Sequence, residues 1–244
     1  MELSIDTSTE IAGIALSEQG HPLAEVTWTV GMNHTTQLMP GVERLLHISG
    51  RQLSDTTAVF VALGPGSFAG IRVALSAAKG ISFSLSIPLV GVSALEVEAF
   101  PFASTGLPVC AVHEAGRAEL AVATYRQSDG EWRCLRPAHL TSLDGLGAEL
   151  VEKSVLCGEI SGELEDALRK SLGDLVLIPP AASRLRRAGN LAALGWARLL
   201  RGEKDDPATL QPIYMRRPHI TVPKHEHQGY NDQPGRVAGA GPAQ

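Results

Sequence analysis

The hydrophobic and polar positions of the first hundred residues predict three strands followed by helix–strand crossovers. Two apolar runs, residues 2–6 and 11–17, flank a polar turn, and residues 22–29 form a third strand-like run. Apolar residues then recur at helical spacing over residues 34–49, and a β-branched run covers residues 58–63. A small-residue helix to about Leu85 and a strand over 88–92 complete the order β-β-β-α-β-α-β.

That order resembles the ribonuclease-H-like half-unit of the actin, sugar kinase and Hsp70 (ASKHA) folds. It predicts an α/β protein with two ribonuclease-H-like domains: residues 1–100, which carry the candidate partner-binding helices, and a smaller domain over residues 101–220. In the second half we predict a hairpin over 109–126, short strands at 155–157 and 175–178, and helices over 162–171 and 182–200. Residues 221–244 contain few apolar side chains, which predicts a disordered tail.

Composition narrows the function classes. The chain has 244 residues, of which 44% are hydrophobic, and a formal net charge of −5, which argues against a strong nucleic-acid platform in this chain alone. Cys110, Cys134 and Cys157 are widely spaced, which is typical of free thiols in a reducing compartment. The first residues lack the pattern of a leader, and no uninterrupted apolar stretch is long enough to span a bilayer, so we expect a cytoplasmic protein without membrane contact.

The glycine-rich stretch from Gly64 to Arg72 joins a buried strand to a helix. Such a loop can aim backbone N–H groups at an anion, or it can simply form a tight turn. It is not a P-loop, because Ile71 and Arg72 follow Gly70 where lysine and a hydroxyl residue would stand. It also departs from GxGxxG, because Ala69 takes the place of the third glycine.

The polar turn after the first strand, Asp6 to Thr9, has the same two interpretations. In phosphotransferases of this fold an aspartate at this turn helps to hold the metal, and small residues cradle nucleotide phosphates. The alternative is an Asx or Ser/Thr turn that closes a hairpin. The candidate phosphate or turn residues are therefore Asp6, Gly64, Gly66 and Gly70, and an ATP-dependent phosphotransferase or ATPase stays open as the alternative function.

The helix after the glycine loop is poor in charge. Between Asp55 and Glu96 the charged residues are Arg72 and Lys79 alone. A helix that is apolar nearly all round is normally buried, so its outer face predicts a partner helix or cover by the second domain. On the partner hypothesis, Ala78→Glu would block association and leave the monomer folded. The candidate interface residues on this helix and the preceding one are Leu38, Met39, Val42, Leu45, Arg72, Ala74, Leu75, Ala78 and Ile81.

Catalytic and metal-binding patterns are missing from the sequence. His34 has no second histidine at a ligand spacing, and no HExxH, GxSxG or Ser-His-Asp order occurs. We therefore predict neither catalytic residues nor a metal site.

Several motifs together resemble the TsaB (YeaZ-like) family, the bacterial accessory proteins for threonylcarbamoyladenosine in tRNA. They are residues 5–9, 34–40, 64–72, 78–81 and 88–93, with a weaker match in the second half at Glu114-Ala115, Glu119 and residues 212–216. Ala69, Glu114 and Gly116 depart from the family pattern, since threonine, aspartate and arginine are usual there.

The resemblance implies a non-catalytic accessory subunit that binds and activates TsaD, the subunit that transfers the threonylcarbamoyl group to the tRNA adenosine beside the anticodon. TsaD carries a metal-binding His-x-x-x-His where this chain has Ala94 and Glu98. The family also implies pairing through the two helices of the first domain, self-association when TsaD is missing, and an ATPase partner, TsaE. ATP then belongs to the complex, this subunit holds no cofactor, and tRNA is met only through the complex.

Overall fold

A computed structural model describes residues 1–31 and 33–216 of the chain. Its first sheet has five strands in the order β3-β2-β1-β4-β5. Strand β1 lies in the middle and is buried throughout, antiparallel to β2 and parallel to β4. The predicted three-stranded meander with two crossover strands is thereby confirmed. The strands are β1 (Glu2–Asp6), β2 (Ile11–Glu18), β3 (His21–Thr29), β4 (Ala58–Ala62) and β5 (Leu89–Val92).

Two helices cover one face of this sheet, and the apolar spacing of the sequence explains which sides face inward. Helix α1 (His34–Ile48) buries Leu38, Val42 and Leu45 against the sheet. Helix α2 (Phe68–Leu85) buries Ala74 and Ala78 in the same core. Residues spaced by three and four share one face of a helix, so each helix has a core side and an outer side.

The second sheet also has five strands, in the order β10-β9-β6-β7-β8. The predicted hairpin is present, with β6 and β7 antiparallel. The long edge strand β8 extends it and was not predicted. The strands are β6 (Val109–Glu114), β7 (Leu120–Ser128), β8 (Glu131–Thr141), β9 (Ser154–Glu159) and β10 (Val176–Leu177), and α4 (Leu143–Glu149) and α5 (Gly162–Leu172) are the helices inserted among them.

The domain boundaries differ from the prediction at the C-terminal end. Helix α6 (Ala188–Leu200) lies in the predicted second domain, yet it packs on the first sheet, opposite α1 and α2. Leu191 and Leu194 of α6 share a core with Phe60 of β4. The first domain is therefore residues 1–100 together with the returning C-terminal helix, because that face of the sheet needs an apolar cover.

A short helix, α3 (Ala94–Ala99), lies where the two domains meet. Val97 packs in the core beneath α6, whereas Leu95 and Ala99 pack against the second sheet. The predicted tail, residues 221–244, and residues 217–220 of the predicted second domain lie outside the described residues.

Helix α2 is, within the described part of the chain, the one helix whose length and composition would suffice to cross a membrane. Its inner side packs on the first sheet, and core helices meet the same criterion.

Candidate functional site

The glycine loop and the Asp6 turn lie directly against each other. The loop follows β4, and Ser67 begins α2 by accepting a hydrogen bond from the Gly70 N–H at 3.3 Å. The Ser67 N–H donates to the Ser8 carbonyl at 2.6 Å, and the Thr7 hydroxyl donates to the Gly70 carbonyl at 2.7 Å. The two segments that could have cradled a phosphate between them are therefore hydrogen-bonded to one another.

This contact explains why the loop contains glycine. A Cβ added at Gly66 would overlap the Ser8 carbonyl oxygen, and a Cβ added at Gly70 would overlap the Thr7 carbonyl oxygen. Three amides at the start of α2 also have protein partners, namely those of Ser67, Gly70 and Ile71, the last of which donates to the Ser67 carbonyl at 3.0 Å. The glycines thus serve close backbone approach, which favours the tight-turn interpretation over an anion cradle.

Asp6 ends the buried strand β1 and closes the turn that follows. Its Oδ1 accepts hydrogen bonds from the Ser8 N–H at 2.9 Å and the Ser8 hydroxyl at 2.6 Å, which is an Asx turn. Its Oδ2 lies 2.6 Å from Nε of Arg186. Because both carboxylate oxygens have partners within the protein, Asp6 is poorly placed to hold the metal of a nucleotide.

Arg186, just before α6, was not singled out from the sequence, yet it lies at the centre of this site. Its side chain is 3% exposed, and its Nη1 lies 3.0 Å from Oε1 of Glu98 and 3.5 Å from Oε1 of Glu159. Its Nη2 donates to the Thr9 hydroxyl at 2.7 Å. Burial acts to lower the pKa of Arg186, but the three facing carboxylates outweigh it and raise the pKa, so the guanidinium stays charged.

Glu98 lies at the second of the two positions at which the family resemblance leads us to expect the metal-binding histidines of TsaD. Its Oε1 faces Arg186, and its Oε2 lies 2.6 Å from Nε2 of His113 on β6. Ala94, at the other position, is fully buried and offers no ligand atom. Among the described residues, no group of three or more His, Cys, Asp or Glu side chains is arranged to hold a metal ion.

The ion pair between His113 and Glu98 predicts a pH-dependent stability. Burial alone lowers the pKa of His113, but the charge and hydrogen bond of Glu98 raise it, and the net direction is upward from 6.5. A histidine whose pKa is higher in the folded state stabilises the fold fully below its unfolded pKa, and that stabilisation is lost as the pH rises through the folded pKa.

We therefore expect His113→Asn to lower the free energy of unfolding most below pH 6.5, and progressively less as the pH rises above it. Urea unfolding of both proteins across this range measures the difference. His21→Asn, at an exposed position on β3, should change the free energy of unfolding by less than about 0.5 kcal/mol at every pH. A His113→Asn difference that grows with pH would contradict the assignment.

Two cavities flank the glycine loop between the domains. One, of about 520 Å³, is mostly apolar and includes Phe68 and Tyr214, whose rings lie 5.1 Å apart between centroids. The other, of about 480 Å³, is bordered by Glu10, Glu114 and Glu159, and neither lysine nor arginine is among the described residues that line it. His113 also lines this cavity, but it is paired with Glu98, so the three carboxylates dominate and repel nucleotide phosphates.

The candidate interface residues divide into two groups. Met39 and Arg72 are exposed, as an interface requires. The remaining seven lie in this chain's own core and expose too little surface to form the main contacts of an interface, unlike what the prediction assigns to them: Leu38, Val42, Leu45, Ala74, Leu75, Ala78 and Ile81. The apolar stripe of each helix faces the sheet because the sheet is the larger apolar surface available to it.

The outer side of α2 carries a different stripe, at a spacing of about four residues. Phe83 is 83% exposed and Phe68 is 42% exposed, and the small residues Ser76 and Gly80 are exposed between them. A shallow cavity of about 370 Å³ lies between this stripe and α1 and includes Met39, Arg72 and Ser76. We call these residues the outer helical face: Met39, Phe68, Arg72, Ser76, Gly80 and Phe83.

The fold consists of two half-units of sheet and helices that meet at α3, and Asp6 lies at their junction. This arrangement defines a protein of the ASKHA class. YeaZ from Pseudomonas aeruginosa superposes with a TM-score of 0.71 at 26% identity, covering 87% of this chain and 99% of that one. A hexokinase from Thermus thermophilus superposes with a TM-score of 0.51 at 13% identity, which shows the fold alone.

Sequence similarity identifies the family more narrowly. The tRNA threonylcarbamoyladenosine biosynthesis protein TsaB of Bacillus subtilis is 30% identical over 217 residues, which are 88% of this chain and 93% of that protein. TsaB of Escherichia coli is 37% identical over 93 residues, 38% of this chain and 40% of that protein. A family profile described as "TsaD: tRNA N6-adenosine threonylcarbamoyltransferase" also matches residues 29–218. The chain belongs to the TsaB family.

Proposed function

We propose that this chain is a non-catalytic accessory subunit required for threonylcarbamoyl transfer to the tRNA adenosine beside the anticodon, and that it binds and activates TsaD. The observation that carries the proposal is the similarity to the Bacillus subtilis TsaB protein over nearly the whole of both chains. The match of residues 29–218 to the TsaD family profile supports a partner of the same fold.

The lack of catalysis is supported by what fills the interdomain site. Arg186 lies against Asp6 and Glu98, where an enzyme of this fold would need open carboxylate oxygens for a metal. The amides of Ser67, Gly70 and Ile71 bond to the protein itself, and the neighbouring cavity is acidic. These contacts disfavour the alternative of an ATP-dependent phosphotransferase, and they agree with ATP being used elsewhere in the complex.

The outer helical face supports the mode of partner binding. Ser76 and Gly80 let another helix approach α2 closely, and Phe68 and Phe83 offer large apolar side chains at either end of the stripe. We propose that this face packs against the corresponding helices of TsaD, and that it pairs with a second copy of this chain when TsaD is missing. The assembly is cytoplasmic, includes the ATPase TsaE, and meets tRNA through the complex and not through this subunit alone.

Ser76→Glu tests the proposed interface. A glutamate there would place an unpaired charge between the packed helices, so we expect the affinity for TsaD to fall about 100-fold, or ~2.7 kcal/mol. Titration calorimetry with TsaD from the same organism measures the affinity, and threonylcarbamoyl transfer to tRNA in the reconstituted complex should fall in parallel at limiting subunit concentrations.

Ser171→Glu is the matched control, because it makes the same change at an exposed position on α5 of the second domain. It should leave the affinity for TsaD unchanged. Equal weakening by both variants, or none by Ser76→Glu, would place the interface elsewhere. If the wild-type chain did not associate with TsaD over a range of salt and nucleotide concentrations, the accessory function itself would be wrong.

A further inference from the structure

Arg186 connects the two domains through several side-chain contacts. It lies in the segment that returns from the second sheet to α6. On the first-domain side it contacts Asp6 at the end of β1 and donates to the Thr9 hydroxyl and to the Ile11 carbonyl, the latter at 3.2 Å. On the other side it faces Glu159 at the end of β9.

Glu98 extends this connection to the centre of the second sheet. It lies on α3 between the domains, accepts from Nη1 of Arg186 at 3.0 Å and pairs with His113 on β6 at 2.6 Å. Arg186, Glu98 and His113 are each at most 6% exposed. Direct side-chain contacts therefore connect β1 with β6 and β9, through the buried guanidinium of Arg186 and the carboxylate of Glu98.

We propose that Arg186 is an internal clamp that fixes the angle between the two domains, independently of any nucleotide or metal ion. Two-domain proteins commonly close and open around a ligand bound between their domains. Here a guanidinium takes up the facing carboxylates that a bound cation would otherwise bridge. The two domains are thus held in one arrangement, and the outer helical face is carried on a rigid body.

Arginine suits this position better than other cations of the chain would. Its planar fork contacts several acceptors in different directions at once, and Asp6, Glu98 and Thr9 occupy three of those directions. A guanidinium also keeps its charge when buried among carboxylates. The clamp goes beyond the proposed function, because it concerns the angle between domains whether or not TsaD is the partner.

The distance between one spin label on each domain tests the clamp. Labels at His21→Cys on β3 and Lys170→Cys on α5 occupy exposed positions, in a Cys134→Ser background because Cys134 is the exposed cysteine. Dilution with unlabelled protein suppresses distances between copies. We expect a single narrow distance distribution that Mg²⁺ and ATP do not change, and in Arg186→Met a broader distribution shifted to longer distances.

Arg187→Met is the matched control, since Arg187 is the adjacent arginine, has a 63% exposed side chain and pairs with Glu25 at the surface. It should keep the narrow distribution. If Arg186→Met does not fold, the charge-balanced variant Arg186→Met with Asp6→Asn replaces it, because it removes one positive and one negative charge, leaves Glu98 paired with His113, and lacks the clamp. A narrow, unshifted distribution in either folded variant would overturn the proposal, as would a wild-type distribution that Mg²⁺ and ATP shift.

Discussion

Replacing Ala78 with glutamate is expected to destabilise the isolated protein strongly rather than merely block its association. Ala78 lies on the inner side of α2, is fully buried, and packs in the core between helix and sheet. A carboxylate there would lie without a partner in a closely packed apolar region, at a cost of about 4 kcal/mol or more. That is a large part of the 5–15 kcal/mol by which proteins of this size are usually stable.

Guanidinium unfolding followed by far-UV circular dichroism measures the loss. Ser76→Glu makes a charged side chain two residues earlier in the same helix, on the exposed side. It should change the free energy of unfolding by less than about 0.5 kcal/mol, while it weakens binding to TsaD as argued above. A stable Ala78→Glu protein that no longer associates would restore the original prediction, in which Ala78 belongs to the interface.

The contrast between these two variants shows what periodicity can reveal about a helix. The spacing of Ala74, Ala78 and Ile81 correctly indicates a buried stripe, but it does not say whether the stripe meets this chain or another. The sheet is the nearer apolar surface and takes that stripe. The partner face must be sought on the opposite side of α2. There the periodicity of apolar residues is weaker, because Ser76 and Gly80 are neutral and small rather than apolar.

The five strands and the first two helices of the first domain could be predicted from the sequence, because most of these strands are buried and the helices are amphipathic. Strand β8 could not, because only five of its eleven residues are even partly buried and its charged side chains hide any alternation. It is an edge strand held by backbone hydrogen bonds to β7, and such bonds leave little trace in side-chain patterns. The packing of α6 on the first sheet could not be predicted either, because it joins segments that are far apart in the sequence.

Arg186 could not be recognised from the sequence as a residue of the site. In the sequence it stands in a run with Arg184 and Arg187, and such a run is usually solvated. Its acidic partner Asp6 lies at the other end of the chain, so nothing local marks it as buried. The sequence indicates that the Asp6 turn and the glycine loop share the same two interpretations. Their direct contact could not be predicted, because it depends on how the neighbouring strands β1 and β4 lead into them.

Gly70→Ala is expected to destabilise the protein by about 3 kcal/mol, although alanine is the better helix former. Gly70 lies in the first turn of α2, against the turn that follows β1, and its own carbonyl accepts from the Thr7 hydroxyl. An added Cβ would overlap the Thr7 carbonyl oxygen and lie 3.2 Å from Nε2 of the His34 ring. Backbone and a buried ring cannot both move aside, so the loop must separate from the turn. Urea unfolding measures the loss.

Gly80→Ala is the control that separates this contact from helix propensity, because it is the same substitution in the same helix. A Cβ at Gly80 meets nothing within 4 Å, so alanine there should stabilise the protein by about 0.5–1 kcal/mol. Opposite signs for the two variants would show that Gly70 is required for the apposition of loop and turn. Stabilisation by both would mean that the loop and the turn stand apart, with room between them for a phosphate, and the phosphotransferase alternative would then regain its structural basis.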